Sequence, residues 1–125
     1  MNMRTIMALC SLAVVCVAPS GVVGQSAPPT YQADPEVYKV IFENENFRVI
    51  EATHKKGMPD KMHIHAVPSI TYYLTDCTTK HYFADGTSRE DSNKAGTVRP
   101  LSSAAPHSAE IRGPDDCRQI FVERK

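Results

Sequence analysis

Residues 57–76 read GMPDKMHIHAVPSITYYLTD, and this stretch decides the fold class. Its apolar and β-branched residues fall into two short runs, His63–Val67 and Ile70–Thr75, parted by Pro68, which lacks a backbone donor. Both runs have strand length, and neither shows the i, i+3, i+4, i+7 stripe of an amphipathic helix. Similar runs lie on either side: Val37–Phe42, Phe47–Ala52, Lys80–Phe83, Thr97–Leu101 and Gln119–Val122. Asn44-Glu45-Asn46 breaks two of them apart, and Asp85-Gly86 predicts a type I′ hairpin turn with φ > 0 at both central residues. Pro100 inside its run predicts an edge strand or a bulge. The chain is therefore expected to be all-β, a sandwich or a small barrel.

The whole chain has 125 residues, 42% hydrophobic and 22% charged, which suits one ordinary globular domain. Fourteen basic side chains balance fourteen acidic ones without any Lys/Arg cluster, so nucleic acid is not an expected partner. Met1–Arg4, the apolar run Thr5–Ala18 and the small residues after it have the order of a secretory signal. Residues 1–24 are read as that signal, with cleavage after Gly24 or Ser20 both fitting. The apolar run is too short to span a bilayer. The product is expected to be soluble, secreted or periplasmic, with no membrane partner after cleavage. Residues 25–36 (QSAPPTYQADPE) carry no apolar periodicity and are read as an extended leader, which leaves 37–125 as the domain. Cys77 and Cys117 form an even pair in an exported chain, which reads first as a disulfide and second as two buried thiols.

His63-Ile64-His65 is the informative histidine pair. Two residues apart on a strand, both imidazoles leave the same face about 6.6 Å apart, close enough to reach one ion through bonds near 2.1 Å. A third ligand must come from elsewhere, and His107, after the turn-like Ser102–Pro106, is the candidate. His81 in the hairpin and His54 beside Lys55-Lys56 read as surface residues. Glu110, three after His107, points to the opposite strand face and is a poor ligand. Tyr72 and Tyr73 are weak catalytic candidates, since one of them must face inward. Met58 and Met62 flank the first histidines and could line a cavity mouth, although filling a core gap is the commoner use.

The spacings add a resemblance. Gly57, five residues, His63-x-His65, three residues, Ser69, six more and Asp76 follow the skeleton of the first cupin motif. Gly96, five residues, Ser102-x-Ala104, two residues, His107 and then Ile111 follow the second. The chain resembles a small single-domain cupin over Val37–Lys125. That resemblance implies one antiparallel β-barrel, a double-stranded β-helix or jelly roll, with a metal held inside by His63, His65 and His107. Departures are equally plain: Ser69, or Ile70 if the spacing is one longer, replaces the usual ligand Glu. Asp76, Ser102, Ala104 and Ile111 replace the usual Gly, Pro, Gly and Asn.

Three neutral imidazoles suit one divalent transition metal, Fe(II), Zn, Ni, Cu or Mn, with no organic cofactor. The resemblance implies an exported metal-binding barrel acting on a small organic molecule, with an Fe(II)-dependent dioxygenase as one form. A barrel that holds metal or ligand without turnover and a degenerate structural barrel are the alternatives. A homodimer is left open.

Overall fold

The structure, a computed structural model, describes residues 26–101 and 105–125. The expected signal 1–24 and Ser102–Ala104 of the second motif lie outside the described residues. Among those residues no helix is long and apolar enough to cross a membrane. Eight strands follow in order: β1 (Tyr38–Glu43), β2 (Phe47–His54), β3 (Ser69–Tyr73), β4 (Cys77–Phe83), β5 (Ser88–Asn93), β6 (Val98–Leu101), β7 (His107–Ile111) and β8 (Cys117–Arg124). They form a five-stranded sheet, β1-β2-β8-β3-β6, and a three-stranded sheet, β5-β4-β7, with every strand pair antiparallel.

The register follows from period-2 burial. In β8, Cys117, Gln119, Phe121 and Glu123 point inward while the residues between them are more exposed. Pairing of Ile50 with Phe121 and of Thr71 with Phe121 carries the same inward face across β2 and β3. β6, which contains Pro100, lies at the sheet edge, where a missing amide costs no ladder bond. The hairpin between β4 and β5 departs from the type I′ expectation. Among the described residues only glycines have φ > 0, so Asp85 does not. Gly86 donates its amide to Phe83 O at 3.0 Å, and its φ of 87° marks a longer loop, closed by Phe83 N–H to Thr87 O.

Buried apolar side chains form two small groups. Tyr38, Ile50, Ala52 and Phe121 make one, and Cys77, Ile111 and Cys117 the other. Apart from Ala109, the other buried positions among the described residues are polar, among them His54, His63, His65, Thr71, Thr79, His107 and Gln119. Burying polar groups is costly unless they are hydrogen-bonded, and among these His54 Nδ1 and His63 Nε2 have no partner. Cys77 and Cys117 are joined in a disulfide that ties β4 of one sheet to β8 of the other.

The stretch 25–36 differs from the expected extended leader. Thr30–Ala33 form one helical turn, α1, with Thr30 buried and the Tyr31 ring 4.2 Å beneath the Arg48 guanidinium. Ile64 N–H donates to Pro28 O (3.0 Å) and Lys61 N–H to Asp34 Oδ2 (3.2 Å). The segment before β1 thus pins residues 61–64, which carry the first histidine. Outside, Ile70 and Tyr72 of β3 and Val98 of β6 are exposed on the opposite face of the larger sheet.

Candidate metal centre

His63, His65 and His107 are all buried, and one ring nitrogen from each lies within 4.8 Å of the others. The backbone brings them together by a route other than the expected strand. His63–Val67 is not a regular strand: His63 forms an isolated bridge to His107, and Ile64 one to Pro29. Prolines at 59 and 68 flank the segment and supply no amide, so continuous pairing fails, but the chain stays extended enough for His63 and His65 to share a face. His63 N–H donates to His107 O at 2.9 Å and His107 N–H to His63 O at 3.0 Å. That reciprocal pair sets the two rings 4.6 Å apart, with His65 at 5.3 Å from each.

Backbone carbonyls then orient the rings. His63 Nδ1 lies 2.8 Å from Lys61 O, and His107 Nδ1 lies 2.9 Å from Ala105 O. A carbonyl only accepts, so each Nδ1 carries the proton and each Nε2 keeps its lone pair. His63 Nε2 is buried with no hydrogen-bond partner. An orphaned acceptor beside two further imidazoles, with the His63 and His107 rings already held in the ligating tautomer, fits a divalent cation, and neutral nitrogen donors suit the transition metals named above.

Around this triad lies a cavity of about 350 Å³. His54 and His81, expected at the surface, both line it. The cause is strand length: β2 runs two residues past Ala52, which puts His54 on the inward face of Ile50 and Ala52, and β4 begins at Cys77, which puts His81 in line with Thr79. His54 is 3% exposed, and its Nδ1 has no hydrogen-bond partner, with Asp60 Oδ2 at 3.7 Å. Asp60 escaped the sequence reading. It accepts from Tyr38 Oη and from the Ala109 amide, both at 2.6 Å, and so braces β7 against β1 behind the histidines. A lone Asp after Pro59 offers no pattern that would have marked it.

Of the two tyrosines, Tyr73 is on the cavity wall and Tyr72, 42% exposed, is on the outer face and away from the site. Glu110 faces outward, bonded to Tyr82 and Arg112. Ser69 is buried opposite Glu123, its Oγ without a partner, and Ile70 is exposed. Among the described residues the ligand group therefore holds imidazoles alone. Met58 and Met62 are exposed and take no part in the cavity wall.

Burial keeps the histidines neutral. It lowers His54 and His107 to about 4 and His65 to about 3, and moves His63 in the same direction. In metal-free protein the unfolded chain takes up these protons near pH 6.5 while the folded chain does not. The unfolded state then binds more protons, so stability is complete above pH 6.5 and falls as pH drops toward 4. Asp60, raised by burial, opposes this at the acid end. Thermal melts of chelator-treated protein should show Tm falling across that window. A Tm unchanged from pH 6.5 to 4 would contradict the buried placement of the histidines.

Neither a protein-family model nor a curated protein matches the chain. Solved structures do. A cupin domain from Bordetella pertussis Tohama I is 17% identical, with a TM-score of 0.65 over 82% of this chain and 99% of that one. A double-stranded β-helix protein from Klebsiella pneumoniae is 18% identical, with a TM-score of 0.54 over 70% and 75%. The Fe(II) form of HppE, crystallised with an alternative substrate, is 15% identical, with a TM-score of 0.52 over 69% of this chain and 48% of that one. Together with the two antiparallel sheets, these likenesses show that the chain has the cupin fold, a small single-domain double-stranded β-helix.

Proposed function

We propose that this chain is an exported cupin barrel that holds one divalent transition metal on His63, His65 and His107 and acts on a small organic molecule in the cavity, as an Fe(II)-dependent dioxygenase. The observation that carries the metal is the orphaned His63 Nε2 inside a triad whose Nδ1 protons are committed to backbone carbonyls at two of three positions. The likeness to the Fe(II) form of HppE supports an iron reaction on this fold, although a fold hosts many chemistries. Export is supported by the Cys77–Cys117 bridge, which belongs to oxidising compartments.

When bound, the ion supplies a Lewis acid and, as Fe(II), redox chemistry toward O2. The chain's own residues do the rest. Phe121, Leu101 and Ala109 give the cavity an apolar wall that limits water, while Thr71, Thr79 and Gln119 offer hydrogen bonds to orient a substrate. Burial moves the pH of metal release below the ordinary histidine value, because His65 and His107 take up protons only near 3 and 4.

One observation favours a second reading, a barrel that binds without turnover. Among the described residues lining the cavity Asp91 is the one carboxylate, and it is engaged by His81 at 3.4 Å and Arg89 at 3.7 Å, so it is not free to serve the triad as a general base. Oxygen uptake by Fe(II)-reconstituted protein, tested with small thiols and diketones, separates the two. Substrate-dependent uptake abolished by His107→Ala supports the oxygenase. Stoichiometric iron with no uptake across the panel supports the binding barrel.

A further inference from the structure

The mouth of the cavity lies between the two sheet edges, β5 and β6, and its charge is lopsided. In β5 the register pairs His81 with Arg89 and Thr79 with Asp91, which places Arg89 and Asp91 on the inward face. From the opposite lip, β6 pairs Arg99 with Thr71, again inward. Arg99 Nε donates to Asn93 Oδ1 at 3.0 Å across the gap between the sheets. Asp91 is shared by His81 and Arg89, and among the described residues Arg99 has no carboxylate partner. Two guanidiniums against one carboxylate leave the cavity wall net positive, and a divalent ion on the triad would add to that.

Resting on the metal reading above, we infer that the ligand of this cavity is a small organic carboxylate, its anionic end held at the mouth by Arg99 with Arg89 beside it, and its other end turned toward the histidines. A guanidinium without a carboxylate partner presents a planar fork of donors that matches a carboxylate, and its Nη groups are not used in the bond to Asn93. A cavity of about 350 Å³ is at the small end of ligand pockets, which limits the guest to a compact molecule. β5, with the composition SREDSN, carries no apolar residue for a core, so its inward Arg89, Asp91 and Asn93 serve the cavity rather than packing.

The test uses protein reconstituted with Zn(II) and titrated calorimetrically with succinate and with its uncharged diamide. Wild type is expected to bind succinate about tenfold tighter than the diamide, an advantage that weakens as salt is raised. Arg99→Gln should lose that preference while keeping its zinc and its Tm, Arg99→Lys should retain part of it, and Arg112→Gln on the outer surface should change nothing. Equal binding of the two probes by zinc-loaded wild type overturns the carboxylate, as does a preference untouched by Arg99→Gln; in both cases the metal reading stands. If wild type takes up no zinc, the metal reading has failed instead. The same titration of the metal-free chain then decides the carboxylate separately: a preference lost in Arg99→Gln sustains it, and no preference overturns it.

Discussion

Replacing His63, His65 or His107 by Ala is expected to abolish tight metal binding, each alone costing nearly as much as all three. Two imidazoles and water hold a divalent ion far more weakly than three converging imidazoles, and the loss of a ligand should weaken affinity by at least about a hundredfold. The three positions are coupled through the backbone as well: His63 and His107 exchange both main-chain hydrogen bonds, so the side chains approach the same point from paired residues. His54→Ala and His81→Ala should keep the metal, because their ring nitrogens are outside the group that lies within 4.8 Å. Equilibrium dialysis against Zn(II) distinguishes these variants, with circular dichroism to confirm that each is folded. Retention of metal by His65→Ala, or its loss in His81→Ala, would show that the ligands are drawn from elsewhere on the cavity wall.

Six strands were legible from short β-branched and aromatic runs, because in β1, β2, β3, β4, β6 and β8 at least one face meets apolar packing or a neighbouring strand. β5 and β7 were not. Their inward residues are Arg89, Asp91 and Asn93 in one and His107 and Ala109 in the other, which face the cavity, and Ile111 is the one side chain of the two strands in a buried apolar cluster, so hydrophobic periodicity carries little trace of them. The same cause hid His54 and His81: a strand that continues with polar residues looks as though it has ended. Spacing, by contrast, located the triad. The glycines that open the two motifs, Gly57 and Gly96, have φ of 71° and 81°, as a turn before each histidine segment requires. Asp60 and the arginines at the mouth were invisible because each depends on residues distant in sequence: Ala109 in one case, and the meeting of two sheet edges in the other.

Removing the disulfide by the double substitution Cys77→Ala and Cys117→Ala is the second large effect expected. The bridge spans 40 residues and joins the two sheets. Without it the unfolded chain regains the freedom of a loop that long, worth about 4 kcal/mol in the chain-entropy account. The two small apolar clusters leave little reserve, since Cys77 and Cys117 themselves make up much of one of them. For a domain of this size the loss corresponds to a fall in Tm on the order of 20 °C. Differential scanning calorimetry of both proteins, with intact mass before and after reduction to confirm the bridge in wild type, tests it. A fall of only a degree or two would mean that sheet packing alone holds the barrel closed.

The central claim, that His63, His65 and His107 form one metal site, is tested most directly by elemental analysis of wild-type protein purified without chelators or an affinity tag that binds metal. One divalent transition-metal ion per chain is predicted, and near-background metal in His63→Ala prepared alongside. Wild-type protein that is metal-free, and whose Tm does not rise with Zn, Fe(II), Ni, Cu or Mn, would contradict it.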